Sequence, residues 1–418
     1  MKQEFLKQNR EKFQKKMEEG SIALMHSNTV YTSSADMHFP FEPDRDFYYL
    51  TGLKLPDFLY LAEKSQGEVK ETLFVYRKDE QEEKWTGYRY TKEELTDMCG
   101  MTNIAYLDQF QNYLASSMAK NSYKTAYLNT PLTTTWKTYI SPQETLAKQV
   151  VEKYPYLQIK HSSEIMIPLR AIKEPYEVEQ IRQAAEITDR GLRHMMRISR
   201  GGINEKELEA AFCYEVIQAG ATMSFPPIIA SGKNALVLHY DSNDNVVEDG
   251  SLVLADVGAA KKYYCADVTR TFPAGGKFNE IQRKIYEIVL EANEKAIGCI
   301  KEGITLTEID QCAQEVLYKG LKELNILETK DELCQYYYHS IGHSLGLDAH
   351  DSLNRTMPLK AGMVITIEPG LYVEQLGIGV RIEDDVLVTE AGYDVLTKQI
   401  MKNADEIEQF MQKEQKRC

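Results

Sequence analysis

The feature that most constrains this chain is an internal repeat. Residues 176–199 and 204–219 carry helical periodicity and are followed by strand patterns around 225–240 and then 250–273. Residues 278–300 and 305–325 carry two more helical patterns, followed by strand-like segments at 335–350 and then 362–390. Each half closes on a pair of strands holding two carboxylates. Asp256 lies in GSLVLADVGA and Asp267 in YYCADVTRTF; Glu368 lies in MVITIEPGLYV and Glu383 in GVRIEDDVLV. Such a duplication predicts one structure built from two similar units, with a site where their equivalent edges meet.

Strand geometry says where the acids point. Alternate side chains share a face, so Leu252, Leu254 and Asp256 line up, as do Val364, Thr366 and Glu368. An acid at the end of an apolar face points toward a core, where an unpaired carboxylate is costly. Arg381 and a few lysines nearby are too little for four acids, whereas metal ions neutralise a crowd of like charges. A solvated edge acid would explain any one of them, but not four in symmetric positions on apolar strands.

Between the last two carboxylates and the helices before them stands HSIGHSLGLDAHD, residues 339–351. Gly342-His343-Ser344-Leu345-Gly346 matches the nucleophile elbow of serine hydrolases literally, but the elbow needs an acid and then a histidine downstream. His350 is the last histidine of the chain and lies only six residues beyond Ser344. A zinc helix of the H-E-x-x-H type is absent because Ser340 follows His339. Gly232-Lys233 is followed by Asn234, with no glycine five positions before Gly232, so there is no phosphate-binding P-loop. What remains is that one or more of these histidines joins the four carboxylates.

The rest of the chain narrows the setting. At 418 residues it has length for two domains, and 43% hydrophobic with 27% charged residues is ordinary for a soluble globular protein. A net charge of -14 argues against nucleic acid or an anionic membrane surface as partner. No apolar run reaches the ~18 residues of a membrane span, and the N-terminus has no apolar core of a signal peptide. The seven cysteines are scattered and never form C-x-x-C, which predicts free thiols in a reducing cytosol. Before the repeat, residues 1–20 read as a charged amphipathic helix. SIALM, FLYLAE, TLFVYR, NIAYLD and TAYLN then read as strands, among helices at EELTDMC, QNYLASSMA and SPQETLAKQVVEKY. That predicts an α/β domain over 1–165, a hinge in IPLRAIKEPYEVEQ, a second domain over 174–402 and a solvated charged tail, itself helical, over 403–418.

With these residues in place the chain resembles the "pita-bread" metallopeptidases, the family of aminopeptidase P, prolidase and methionine aminopeptidase. The resemblance rests on LADVGA, CADVTRTFP, IGHSLGLDAHD, TIEPGLYV and GVRIEDDVLVT. SFPPIIASGKNALVLHY and FYYLTGL, in an N-terminal stretch similar to that of aminopeptidase P and prolidase, extend it over nearly the whole chain. Ser340, Ser352 and Leu353 depart from the usual pattern and bear on the substrate pocket.

The resemblance implies an α/β architecture: a creatinase-like N-terminal domain followed by a pseudo-twofold pita-bread catalytic domain. It implies a metal set of Asp256, Asp267, His343, Glu368 and Glu383, with Asp267 and Glu383 bridging two divalent ions. A hard, oxygen-rich shell favours Mn²⁺, with Co²⁺, Fe²⁺ or Zn²⁺ as alternatives. In this family a metal-bridging hydroxide attacks the scissile carbonyl. By resemblance Glu368 shuttles the proton of that water, His239 places an imidazole beside the leaving nitrogen, and His350 hydrogen-bonds the oxyanion. His339 lines the proline pocket, and Arg381 orients Glu383 from the same strand face. His26, His38, His161 and His194 fall in no motif and are read as surface or satisfied core residues. Trp85 is either a packing residue or an aromatic that reaches a neighbouring subunit. The activity implied is that of a cytosolic Xaa-Pro aminopeptidase (EC 3.4.11.9-like), a homo-oligomer that removes the first residue of peptides with proline second. Prolidase, which cleaves Xaa-Pro dipeptides, shares every ligand and is the alternative. A binding module that had lost its metals would lack ligands, and none is missing; methionine aminopeptidase does not need the long N-terminal domain.

Overall fold

The computed structural model describes residues 2–132, 140–351 and 357–415. The chain forms two compact units, Met1–Arg170 and Ala171–Cys418.

The first unit runs α1 (Gln3–Lys16), β1 (Ser21–His26), β2 (Thr32–Ser34), β3 (Met37–His38), α2 (Arg45–Thr51), β4 (Leu59–Ser65), β5 (Glu68–Val75), α3 (Glu80–Thr86) and α4 (Lys92–Cys99). It continues with β6 (Ile104–Tyr106), α5 (Phe110–Lys120), β7 (Thr125–Leu128), α6 (Pro142–Lys153), β8 (Gln158–His161) and α7 (Ser163–Ala171). Six strands make one sheet in the order β6-β5-β4-β1-β7-β8. β1 is antiparallel to β4 and parallel to β7, so both its edges are paired; residues on both its faces are buried, and SIALMH accordingly reads as an apolar run rather than an alternation. Ile22, Leu24, Leu61 and Phe74 of the sheet pack with Phe110, Leu114, Leu146 and Val150 of α5 and α6. Trp85 is 90% exposed, which excludes a packing role within its own unit.

The second unit is built twice over. The first pass is α8 (Pro175–Ile198), α9 (Glu205–Gln218), β9 (Thr222–Met223), β10 (Ile228–Ser231), β11 (Leu252–Val257), β12 (Ala259–Lys261), β13 (Tyr264–Cys265) and β14 (Val268–Pro273). The second is α10 (Glu280–Gly298), α11 (Leu306–Glu323), β15 (Val364–Ile367), β16 (Gly370–Val373), β17 (Ile378–Arg381), β18 (Asp384–Thr389) and β19 (Gly392–Val395), closed by α12 (Ala404–Gln415). β10-β11-β14 and β15-β18-β19 are the corresponding antiparallel sheets, and β16-β17 is a separate pair. Capping repeats with the strands. Asn204 with Glu207 caps α9, and Thr305 with Glu308 caps α11 at the equivalent place, each box satisfying two otherwise orphaned backbone donors. The faces of α8 to α11 and the strands bury one continuous core that includes Phe212, Phe272, Tyr286 and Leu371.

Several expectations need correction. The stretch 167–171 is helical, the end of α7, and only Ile172–Glu174 separate it from Pro175 at the first turn of α8. Of the strand pattern around 225–240, β10 accounts for four residues and a short 3-10 turn, Gly232–Leu236, follows it. Residues 335–350 hold no regular strand, yet Ile341, His343 and Leu345 exchange backbone hydrogen bonds with Glu368, Thr366 and Val364 in antiparallel register, and Ser344 bridges both Ile365 and Asp351. α12 is not merely solvated, because Ala404, Ile407 and Met411 join the core. Nor are all cysteines free. The hairpin of α10 and α11 brings Cys299, just past α10, to Cys312, and the two form a disulfide that a spacing of 13 residues did not suggest. Cys99, Cys213, Cys265 and Cys334 form no disulfide among the described residues, and Cys418 lies outside them.

Candidate metal centre

Five short segments deliver the polar residues of the second unit to one place. Asp256 is the fifth residue of β11, and Asp267 lies just before β14. Glu368 and Glu383 stand one residue past β15 and two past β17, where the strands have ended and the side chains are free to turn inward. His343 comes from the irregular segment 339–351. Two glycines permit this closeness. A Cβ on Gly342 would lie 2.0 Å from the carbonyl oxygen of Thr366, and one on Gly258 would lie 1.9 Å from that of Ala266.

Three overlapping groups have ligand atoms all within 4.8 Å of one another: Asp256, Asp267 and Glu383; His343, Glu368 and Glu383; and Asp267, His343 and His350. Glu383 and Asp267 each belong to two of them. His343 Nε2 lies 3.5 Å from Asp267 Oδ2 and 3.6 Å from Glu368 Oε1. Its Nδ1 faces the Ser344 carbonyl at 3.1 Å, a bond only a protonated Nδ1 can donate, which leaves the Nε2 lone pair toward the carboxylates.

The electrostatics are those of a cluster short of positive charge. Burial first, and then Asp256, Asp385 and Glu368, hold Asp267 well above the usual carboxylate range. Burial, then Asp267, Glu368 and Asp256, does the same to Glu383. Glu368 is also raised by burial and by Asp256, against the opposing pull of His343 and Arg381. Asp256 Oδ1 is buried with no hydrogen-bond partner among the described residues. An orphaned buried carboxylate oxygen, beside three acids that raise one another, fits a cation site, and the donor set of four carboxylates and one imidazole fits hard divalent ions.

Around these acids runs a ring of neutral hydroxyls that the motifs did not announce. Thr269 donates to Glu383 Oε2 at 2.7 Å and accepts from Arg381 Nε at 3.0 Å. Thr366 accepts the His343 N–H at 3.0 Å and donates to Glu368 Oε1 at 3.4 Å. Arg381 differs from its expected role. Its Nη2 donates to Asp256 Oδ2 at 2.6 Å, across the repeat, and it reaches Glu383 only through Thr269. The guanidinium extends away from its own strand, so two-residue spacing on β17 was a poor guide to its partner. Its Nη1 donates to the Tyr372 hydroxyl at 2.9 Å, and that hydroxyl stands 2.9 Å from His339 Nε2. With His339 Nδ1 against the Ser340 carbonyl at 2.9 Å, Tyr372 must donate to Nε2. Burial and then Arg381 hold His339 down to about 4, so its ring is neutral at pH 7. Asp385, also unforeseen, is fully buried and accepts the backbone N–H of Asp267 at 3.3 Å.

The five candidate ligands, with His339 and Arg381, line a cavity of about 570 Å³, a usual size for a small-molecule or peptide site. His239 and His350 are exposed residues lining it, and Phe225, Pro226, Ile228 and Leu238 supply an apolar wall. The His343 and His350 rings are 4.1 Å apart. The other histidines lie outside it: His26 accepts from Asn28 N–H, His161 faces the Thr130 carbonyl, His194 pairs with Glu215 and His38 is exposed. Ser352 and Leu353 lie outside the described residues.

The comparisons with known proteins point the same way. Residues 179–390 match the model of metallopeptidase family M24, and residues 6–127 that of the aminopeptidase P N-terminal domain. The chain is 33% identical to an Xaa-Pro aminopeptidase of Haemophilus influenzae, over 94% of each protein. It is 32% identical to the Xaa-Pro aminopeptidase of Escherichia coli, over 98% of each. Among solved structures, one from Bacillus anthracis named for aminopeptidase P superposes with a TM-score of 0.96 at 38% identity, over 99% of each chain. Escherichia coli aminopeptidase P with the inhibitor Pro-Leu superposes with a TM-score of 0.91 at 30% identity, over 100% of this chain and 99% of that one.

Proposed function

This chain belongs to metallopeptidase family M24, and on that premise we propose that it is an Xaa-Pro aminopeptidase, hydrolysing the bond between the first residue of a peptide and a proline in second position. The observation that carries the reading is the gathering of Asp256, Asp267, His343, Glu368 and Glu383 on the floor of a peptide-sized cavity with His239 and His350 in its wall.

Asp256, Asp267, His343, Glu368 and Glu383 would hold two divalent ions. Bound there, the ions would lower the pKa of a water and polarise the scissile carbonyl. Everything else falls to the protein. Glu368, buried and raised in pKa, takes the proton of the attacking water. His350 hydrogen-bonds the oxygen on which charge develops, and His239 gives a proton to the departing prolyl nitrogen. One water is consumed: its hydroxyl bonds to the carbonyl carbon as the C–N bond breaks. The amine takes a proton from His239, and the proton held by Glu368 goes back to His239 through solvent, leaving a carboxyl group and a secondary amine. Arg381 keeps Asp256 in place, and a charge pair this deep costs about 3–5 kcal/mol to break from one side. Neutral His339, held by Tyr372, adds a polar edge to the proline pocket without adding charge.

An oxygen-rich donor set supports Mn²⁺ as the working metal. We also propose that the enzyme acts in the cytosol as a homo-oligomer, at least a dimer; sedimentation showing a fully active monomer would rule this out. Purified protein with Mn²⁺ should release the first residue from Xaa-Pro-Yaa peptides. Cleavage confined to Xaa-Pro dipeptides would make the chain a prolidase instead.

A further inference from the structure

Asn293 lies in the interior of α10, fully buried, on a face with Val289, Ala296 and Ile297. An amide in such a place is unfavourable unless its hydrogen bonds are made, by about 1–3 kcal/mol. Here all are made. Nδ2 donates to the carbonyl of Ile367 at 3.0 Å and to that of Ile382 at 3.2 Å, while Oδ1 accepts from Lys402 Nζ at 2.8 Å.

The two carbonyls are not arbitrary. Ile367 immediately precedes Glu368, and Ile382 immediately precedes Glu383. Each carbonyl shares a rigid planar peptide unit with the N–H of the glutamate that follows. On their other edges these units are also held, because Glu368 N–H donates to the Ile341 carbonyl at 2.8 Å and Glu383 N–H to the Thr269 carbonyl at 3.0 Å. Ile341 and Thr269 in turn lie two residues from His343 and Asp267. One side chain on a helix therefore ties together the two peptide planes from which Glu368 and Glu383 project. Lys402 completes the arrangement by donating also to Asp384 Oδ2 at 2.8 Å, next to Glu383.

We propose that Asn293 is a positioning residue that sets the spacing of Glu368 and Glu383 and thereby the affinity of the chain for divalent ions. This rests on the reading of both glutamates as ligands. Backbone fixed to within a fraction of an ångström matters here because outer partners of metal ligands commonly govern affinity by ~10–100-fold.

The test is calorimetric titration of the metal-stripped full chain with Mn²⁺, alongside its thermal unfolding without metal. Asn293→Leu keeps the branched shape and the number of heavy atoms and removes both donated bonds. Asn293→Asp removes them too but keeps the acceptor toward Lys402, and it carries the measurement if the leucine variant does not fold. Both should weaken Mn²⁺ binding by ~10-fold or more. Val289→Ala, a cavity on the same helix face away from the glutamates, should lower the unfolding temperature and leave Mn²⁺ affinity unchanged. Unchanged affinity in the Asn293 variants, or an equal loss in Val289→Ala, overturns the proposal. Glu383→Ala is the control for its premise. If that variant binds Mn²⁺ as tightly as the parent, the ligand reading fails and takes the proposal with it; if it does not, failure of the Asn293 variants counts against Asn293 alone.

Discussion

Asp267→Ala is expected to lose nearly all peptide hydrolysis, and added metal should not restore it. The carboxylate belongs to two of the three ligand groups, so its loss takes a donor from both metal positions at once. Metal assistance contributes several kcal/mol to the transition state, and each 1.36 kcal/mol is tenfold, so the expected loss is roughly 10³-fold or more. The same substitution should act oppositely on stability without metal. Asp267, Glu368 and Glu383 all have raised folded pKa values. The folded metal-free chain therefore binds their protons more tightly than the unfolded chain, and its stability is lost as pH rises from the normal carboxylate range through the folded values. Relief of that repulsion should make metal-free Asp267→Ala unfold at a higher temperature than the metal-free parent near pH 7. Thermal unfolding with and without chelator checks both halves; normal turnover by the variant would contradict the dinuclear reading.

The second large effect belongs to His239. The nitrogen of an Xaa-Pro bond carries no hydrogen, because the proline ring occupies it. The tetrahedral intermediate can expel that poor leaving group only when a proton arrives. His239 is exposed and lines the cavity, as a proton donor to bound substrate must be and a core histidine is not. His239→Ala should slow Xaa-Pro hydrolysis by roughly 10²-fold or more, the usual scale for a general acid, while metal content stays unchanged. A substrate analogue with a much better leaving group should suffer far less. Equal losses on both substrates would reduce His239 to substrate positioning.

What could be read from residues alone follows from how local the cause is. The repeated helix pairs were legible because helical periodicity is written within each segment; the capping boxes of Asn204 with Glu207 and Thr305 with Glu308, equally local, went unread. The acids were legible because each lies in or next to an apolar strand, in matching places of the two repeats, and a crowd of four such carboxylates calls for cations. The partner of Arg381 was not legible: the side chain leaves its strand and meets Asp256, 125 residues away in sequence. The same holds for Asn293 and Tyr372, which look like ordinary interior residues until the helix and strands that frame them are placed together. The segment 339–351 misled in another way. Its apolar residues suggested a strand over 335–350, whereas only Ile341 to Leu345 pair in antiparallel register with Val364 to Glu368, and the close approach of Gly342 to the Thr366 carbonyl is invisible in the pattern. The Cys299–Cys312 pair likewise depends on the α10–α11 hairpin rather than on any spacing visible in the chain.

The most direct test of the central claim is to strip the full-length protein of metal with a chelator and titrate it with Mn²⁺ while mass spectrometry follows two matched tripeptides, one with proline second and one with alanine. Hydrolysis should be absent at the start, should rise with added ion to a plateau, and should release a free first residue and an intact Pro-Yaa dipeptide from the proline peptide in preference to the other. Full cleavage by the stripped protein, or equal cleavage of both peptides at the plateau, would contradict a metal-dependent, proline-directed aminopeptidase.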